Sequence, residues 1–303
     1  MNIAIVSHDA GGAEILSSWV LHQNEKYFAV LEGPAINIFQ RKLGLQLNLP
    51  LEQAIQRCDW ALCGTSWQSD LERRAIKLCK ASGKRVVVFL DHWMNYQERL
   101  LIDGELILPD EIWVGDNEAE RIARNIFPST PIILLANPYV EDLLLELKNT
   151  KPSDNAVAQK SILYICEPIR EHALLQHGDE RYWGYTEEDA LKFFLKNVAL
   201  LVHPIHQIKI RPHPSEKRCK YDWAIDFSKS IVISDGTKSL IEEISDADTI
   251  AGCESMAMVI GLFANKRVIS CIPPGGRNCC LHQTEIQHLQ NVVAQHAELG
   301  HAI

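Results

Sequence analysis

Short runs of valine and isoleucine recur along this chain and alternate with longer segments of helical periodicity. The stretches "NIAIVS" at positions 2–7 and "VVVFL" at 86–90 are apolar almost without interruption. Continuous apolar strands of this kind are typical of a parallel sheet that helices cover on both faces. The pattern therefore predicts an α/β protein assembled from βαβ units.

The first half of the chain contains six such runs. They predict strands at Asn2–Ser7, Phe28–Glu32, Asp59–Cys63, Arg85–Leu90, Glu111–Val114 and Pro131–Leu134. The segments between them predict helices, for example Gly12–Gln23 and Trp67–Ser82.

The second half repeats the alternation. Strands are predicted at Ser161–Cys166, Gln207–Arg211, Ile231–Ser234, Thr249–Ala251 and Arg267–Ile272, and helices at Thr186–His203, Lys238–Ser245, Ser255–Ala264 and Thr284–Glu298. The charged and aromatic region 167–187 is expected to be a long loop or short irregular helices.

Between the two halves lies "KNTKPSDNAVAQK", Lys148–Lys160, which is polar, contains proline and follows neither apolar period. Such a segment is typical of a linker. We therefore expect two Rossmann-like domains, residues 1–150 and 151–303, that face each other across a cleft lined by the carboxyl ends of the strands.

Composition narrows the class of protein. With 47% hydrophobic and 23% charged residues the chain resembles an ordinary globular protein. A formal net charge of −9 argues against a nucleic acid as the main partner. The nine cysteines include no CxxC pair and no zinc-ligand spacing, which favours reduced thiols in a cytoplasmic protein.

Membrane insertion is not predicted. No stretch of about 18 consecutive apolar residues occurs, and the N-terminal sequence lacks the basic and apolar regions of a signal peptide. Peripheral contact with a membrane remains open.

The first candidate for chemistry is "SHDAGGAE", positions 7–14, where a strand end meets two glycines and a helix. Gly11 and Gly12 would let the backbone approach a ligand, and the helix start offers free amides to an anion. His8 and Asp9 add titratable groups at a strand end, where ligand sites of α/β proteins form. The alternative is a tight turn without a ligand.

The second candidate is Asp91, which directly follows the predicted strand Arg85–Leu90 in "LDHWMNYQER". A carboxylate in this place could take the proton of a hydroxyl group. Alternatively, Asp91 caps a helix or pairs with Arg99.

The third candidate is the histidine of "KIRPHPSE". Pro212 and Pro214 restrict the backbone on both sides of His213, so the imidazole is oriented before a ligand arrives. Lys209 and Arg211 precede it in the densest cationic segment of an acidic chain. These residues predict a site for a phosphate group.

The fourth candidate is "GCESMAMVIG", where Glu254 and Ser255 open an apolar helix. Their side chains can cap the helix, and the same free amides and hydroxyl can bind a phosphate. Arg277, in "PPGGRN", could reach an anion or face solvent.

Taken together, the second half resembles the nucleotide-binding half of a GT-B glycosyltransferase. More narrowly, "KIRPHPSE" resembles the HP motif of bacterial sialyltransferases, of Kdo transferases in capsule and lipopolysaccharide assembly, and of CDP-glycerol polyol-phosphate transferases. The resemblance implies that His213 contacts the phosphate of a nucleotide sugar, with a CMP-sugar favoured, and that Ser255, with Glu254 beside it, also contacts the phosphate.

The resemblance also implies a glycan or surface-polysaccharide acceptor, an acidic base in the first domain and no further cofactor. Asp91 and Asp9 are the two candidates for that base. No metal site is expected, because helix amides and cationic side chains can stabilise the phosphate.

Three alternatives stay open. The first is a sugar-nucleotide epimerase or hydrolase, and the second is a transferase that uses CDP-glycerol. The third is a binding protein that keeps the fold without catalysis.

Overall fold

A computed structural model describes residues 1–66, 68–152, 160–201 and 204–300, except for the side chains at positions 218, 299 and 300. The chain divides into two compact units, Met1–Leu143 and Leu144–Ile303. The division falls within a helix, Pro138–Asn149, ahead of most of the segment that was expected to be a linker. Positions 153–159 of that segment lie outside the described residues.

The first unit contains a six-stranded sheet in the order β2-β1-β3-β4-β7-β8, in which every neighbouring pair is parallel. A separate two-stranded antiparallel hairpin is formed by β5 and β6. The strands are β1 (Asn2–Ser7), β2 (Lys26–Leu31), β3 (Trp60–Cys63), β4 (Arg85–Leu90), β5 (Leu101–Ile102), β6 (Glu105–Leu106), β7 (Glu111–Val114) and β8 (Ile132–Leu134).

Helices follow the strands of this sheet. They are α1 (Ala10–Leu21), α2 (Pro34–Leu43), α3 (Leu51–Arg57), α4 (Leu71–Ala81), α5 (Asn117–Ile126) and α6 (Pro138–Asn149). A short 3₁₀ turn, Glu98–Leu100, leads into β5.

The second unit contains a second six-stranded parallel sheet, in the order β11-β10-β9-β12-β13-β14. Counted within the unit, this is the order 3-2-1-4-5-6 of dinucleotide-binding folds. The strands are β9 (Ser161–Ile165), β10 (Gln207–Arg211), β11 (Ile231–Ile233), β12 (Thr249–Gly252), β13 (Arg267–Ser270) and β14 (Gln287–His288).

The helices of the second unit are α7 (Ile169–His177), α8 (Glu187–Asn197), α9 (Leu240–Asp246), α10 (Met256–Phe263) and α11 (Leu289–Gly300). Two 3₁₀ segments, Val198–Leu200 and Arg218–Phe227, complete it.

Both faces of the first sheet are buried. Ala4 and Val6 of β1 pack into one apolar cluster, whereas Ile3 and Ile5 pack into another. Since successive side chains of a strand point to opposite faces, each face has its own core. The α/β class with two doubly wound parallel sheets, predicted from the continuous apolar strands, is confirmed.

The structure corrects two local predictions. The helix expected at Thr284–Glu298 begins at Leu289, because Gln287 and His288 instead form the edge strand β14, which pairs with Ile269 and Ser270 of β13. The region expected to be largely irregular contains the regular helix α7. Among the described residues, no helix is long and apolar enough to cross a membrane.

Candidate active site

The strand order of the first sheet reverses between β1 and β3. The chain leaves β1 towards β2 on one side and then returns to add β3 on the other. In open α/β sheets ligands bind outside the carboxyl ends of the strands at such a reversal. Here that edge carries His8 and Asp9 after β1, the loop 64–66 after β3, and Asp91 after β4.

Asp9 lies at the centre of a hydrogen-bond network. Its Oδ1 accepts a hydrogen bond from the hydroxyl of Ser66 at 2.7 Å and lies 2.7 Å from His8 Nδ1. The backbone N–H of His8 donates to Glu72 Oε1 at 2.7 Å. Asp9 is the N-cap residue of α1, but its side chain accepts no capping hydrogen bond. The carboxylate is thus directed to His8 and Ser66.

Asp91, unlike Asp9, forms an ion pair with a buried arginine. Its Oδ1 accepts from Thr65 Oγ1 at 2.9 Å and from Arg99 Nη1 at 2.8 Å, and both side chains of this ion pair are only 9% exposed. Of the two aspartates that the sequence indicated, Asp91 is therefore the one whose carboxylate already has a buried cationic partner.

Gly11 and Gly12 serve close packing in this structure. A Cβ atom at Gly11 would overlap Asp91 Oδ2, and one at Gly12 would lie 3.2 Å from the Cα of Gly64. The glycines thus let α1 approach the loops that follow β3 and β4. The role of these two glycines in binding an anion remains a prediction, and any anion there would meet the carboxylate of Asp91.

Glu72 was not recognised from the sequence. It lies in the first turn of α4 and is 2% exposed, and its Oε2 has no hydrogen-bond partner among the described residues. Burial raises the pKa of this carboxyl group to about 7, with a smaller contribution from Asp9. In the sequence "LERRAIKL" Glu72 looks like any polar residue of a helix. No local signal therefore reveals that it is buried.

In the second unit, His213 is fixed by the turn that follows β10. Its backbone N–H donates to Glu216 Oε2 at 2.9 Å, and its Nδ1 accepts from the backbone N–H of Ser215 at 3.2 Å. An Nδ1 that accepts from an amide carries no proton, so in the neutral ring the proton is on Nε2. Burial lowers the pKa of His213. The imidazole can therefore offer a neutral N–H to a ligand.

The buried carboxylate of Glu216 stabilises this turn. Its side chain is 1% exposed and its Oε1 accepts from Tyr221 Oη at 2.7 Å and lies 2.8 Å from Lys220 Nζ. Lys220 Nζ also lies 2.9 Å from Glu171 and 2.6 Å from Glu187. The three carboxylates form a group with the geometry to hold a metal ion. Because the ammonium group of Lys220 already contacts each of them, a cation is in place.

Arg211 is also paired within its own unit. Its Nη1 donates to Glu243 Oε2, and Lys209 Nζ lies 3.5 Å from the other oxygen of the same carboxylate. Glu243 is 3% exposed and accepts a further hydrogen bond from Ser234 Oγ at 2.6 Å. The cationic segment before His213 thus balances a buried carboxylate.

The second sheet reverses its order between β9 and β12, and a glutamate occupies that point. Glu167, two residues beyond the end of β9, accepts the backbone N–H groups of Cys253 and Glu254, both at 2.9 Å. Burial, with a smaller contribution from the charge of Glu254, raises the pKa of Glu167 to about 7. Two of the amides proposed for a phosphate are therefore already hydrogen-bonded to a carboxylate that sequence reasoning missed.

Glu254 and Ser255 have partners at the start of α10. The carboxylate of Glu254 pairs with Arg277 and accepts the backbone N–H of Cys280 at 3.1 Å. Ser255 is the N-cap residue, and its hydroxyl accepts from the backbone N–H of Ala257 at 3.2 Å. The guanidinium of Arg277 stacks 4.0 Å above the Trp183 ring. Arg277 is thus held by two partners.

Comparison with known proteins gives a likeness of fold only. No family model matches the chain. No curated protein sequence matches it either.

Solved structures do match over nearly the whole chain. The UDP-GlcNAc 2-epimerase of Methanocaldococcus jannaschii has a TM-score of 0.65 at 13% identity and covers 97% of this chain and 92% of its own. MnaA of S. aureus, solved with UDP, has a TM-score of 0.65 at 14% identity and covers 98% and 87%. The E. coli heptosyltransferase WaaC has a TM-score of 0.50 at 12% identity and covers 99% and 100%. The chain therefore has the GT-B fold.

Proposed function

We propose that this chain is an enzyme that transfers a sugar from a nucleotide donor to a glycan or surface-polysaccharide acceptor. The observation that carries the proposal is His213, whose ring is fixed at a strand end by its own turn with one N–H left to donate. GT-B neighbours that bind nucleotides or nucleotide sugars are consistent with it. The first unit, Met1–Leu143, would bind the acceptor, and the second would bind the nucleotide.

In the proposed reaction the acceptor oxygen attacks the anomeric carbon while the bond from that carbon to the donor phosphate breaks. The phosphate leaves with the electron pair and is stabilised by the Nε2–H of His213 and by the hydroxyl of Ser255. Arg211 and Glu254 would position the residues around this site through their ion pairs with Glu243 and Arg277. The reaction as proposed uses no metal ion and no further cofactor.

The acceptor proton must go to a base in the first unit. Asp9 and Asp91 are the proposed candidates, and the contacts favour the network of Asp9 because Arg99 neutralises Asp91. The donor is proposed to be a CMP-activated acid sugar of the sialic acid or Kdo type. Only the likeness of "KIRPHPSE" to the HP motif supports this choice of donor.

The test is a calorimetric titration of the protein with CMP, CDP, UMP, UDP and GDP, repeated on His213→Ala. The exposed His288 provides the matched control His288→Ala in the same unit. We expect a nucleotide to bind the native protein and the control, and to bind the His213 variant more weakly. Preference for CMP would support the acid-sugar donor, preference for CDP would favour CDP-glycerol, and absence of binding would refute the proposal.

A second candidate is a sugar-nucleotide epimerase or hydrolase. It is favoured by the UDP-GlcNAc 2-epimerase structure that matches at a TM-score of 0.65 over 97% of the chain. Incubation with UDP-GlcNAc and no acceptor distinguishes it. Appearance of the C2 epimer, or of free UDP, would favour this candidate over the transferase.

A further inference from the structure

We propose that His8, rather than Asp9 or Asp91, takes the proton of the acceptor hydroxyl, with Asp9 as the residue that positions the ring. This inference rests on the proposed transferase function and names the base of that site. Contacts to the backbone and to the ring fix His8 at the end of β1.

His8 is held at four points. Its backbone N–H donates to Glu72, and its carbonyl oxygen accepts the backbone N–H of Ala35 at 3.1 Å. Its Nδ1 lies 2.7 Å from Asp9 Oδ1. The ring rests on Gly33, where a Cβ atom would lie 2.6 Å from Nε2. Since Gly33 has a φ of +52°, glycine suits this position both in conformation and in space.

The contact with Asp9 decides which ring nitrogen is available. A carboxylate can only accept, so Nδ1 carries the proton and the neutral ring presents an unprotonated Nε2. Nε2 has no hydrogen-bond partner among the described residues, and the side chain is 18% exposed. His8 thus has the arrangement of a general base: one nitrogen oriented by a carboxylate and the other left to accept.

The rival bases are less suited. Asp91 is neutralised by Arg99 at 2.8 Å. Asp9 Oδ1 is shared between His8 and Ser66. In the proposed step the acceptor proton moves to Nε2 of His8 as the new carbon–oxygen bond forms, and the positive charge of the resulting imidazolium lies beside the carboxylate of Asp9.

The first measurement needs no substrate. Long-range ¹H–¹⁵N spectra of the ligand-free protein should show the His8 ring protonated on Nδ1, with the signal assigned by its loss in His8→Asn. In Asp9→Asn the side-chain amide can donate to Nδ1, so the ring should change to the other tautomer. A native His8 protonated on Nε2 would overturn the inference whatever the enzyme's substrate is.

The second measurement is turnover with the donor found by titration. His8→Asn keeps a donor near the Nδ1 position and removes Nε2, so kcat should fall by roughly 10²- to 10⁴-fold with unchanged donor affinity. The matched control is His22→Asn, because His22, just after α1, also pairs with an aspartate, Asp142, at 2.8 Å. Its kcat should equal that of the native protein. Thermal unfolding of both variants checks the fold.

The outcomes separate the two proposals. An active native enzyme whose His8→Asn variant is equally active would refute the role of His8 and leave the transferase function standing. A native protein that turns over no nucleotide sugar would refute the function and, with it, the role of His8.

Discussion

Replacement of Glu72 by glutamine should stabilise the protein, and by an amount that grows with pH. Glutamine keeps the side-chain oxygen that accepts the His8 N–H but cannot ionise. The native carboxyl group is 2% exposed, and burial raises its pKa to about 7 from the ordinary value of 4.5. The folded state therefore holds a proton that the unfolded state releases near pH 4.5.

The sign follows from the proton balance. Below pH 4.5 both states hold the proton, so the raised pKa of Glu72 does not lower the stability of the folded protein. Between pH 4.5 and 7 only the folded state holds it, so the stability of the native protein falls as pH rises. The shift of 2.5 units, from 4.5 to about 7, corresponds to roughly 3 kcal/mol at 1.36 kcal/mol per unit. Above pH 7 the difference between variant and native protein should be constant.

Urea unfolding followed by tryptophan fluorescence measures this difference between pH 5 and 8.5. Five of the seven tryptophans belong to the first unit, so the signal reports mainly on the unit that contains Glu72. Glu98→Gln, at an exposed glutamate of the same unit, controls for the loss of one negative charge. A stability difference that stays the same across this pH range would show that Glu72 is ionised in the folded protein and would refute the argument.

Three further predictions concern the packing and charges at the two strand edges. Gly11→Ala should destabilise the protein by about 1–3 kcal/mol although alanine is the better helix former, because the new methyl group overlaps Asp91 Oδ2; urea unfolding that shows a gain in stability would contradict this contact. Arg99→Met should cost about 3–5 kcal/mol, since it leaves the buried Asp91 unpaired, and adding Asp91→Asn should recover part of the loss. Glu167→Gln should remove a decline in stability that the native protein shows as pH rises towards 7; equal pH profiles for variant and native protein in urea unfolding would exclude a raised pKa.

The sequence predicts best those strands whose side chains are buried on both faces of the sheet. In β4 every residue after Arg85 is buried, so the run "VVVFL" can only be a central strand. The same logic placed Asp91 at a strand end, because polar residues that follow such a run must leave the sheet at its carboxyl edge. β14 escaped prediction because its two exposed residues pair with one neighbour only and carry no apolar pattern.

The partners of the charged residues could not be predicted. Glu72 lies 64 positions from His8, and Glu167 lies 86 and 87 positions from the two amides it accepts. Neither position has a local pattern that distinguishes it from a solvated glutamate. Their contacts arise only because parallel strands bring distant loops to one edge of a sheet.

The cations at these edges suggest how a phosphate would be held. In the second unit, Arg211 is paired with Glu243 and Arg277 with Glu254. A phosphate that meets His213 would thus be held mainly by neutral donors, since burial lowers the pKa of that histidine. Hydrogen bonds from neutral groups are screened by salt far less than exposed charge pairs are.

Nucleotide affinity should accordingly change little with salt concentration. Calorimetry with the best-binding nucleotide at about 0.05 M and 0.5 M sodium chloride measures this, over a range in which the Debye length falls from above 10 Å to below 8 Å. A steep fall in affinity would mean that one of these two arginines leaves its carboxylate to meet the phosphate. Arg211→Gln and Arg277→Gln would then identify which pair opens, because only the variant that lacks that arginine would lose the salt dependence.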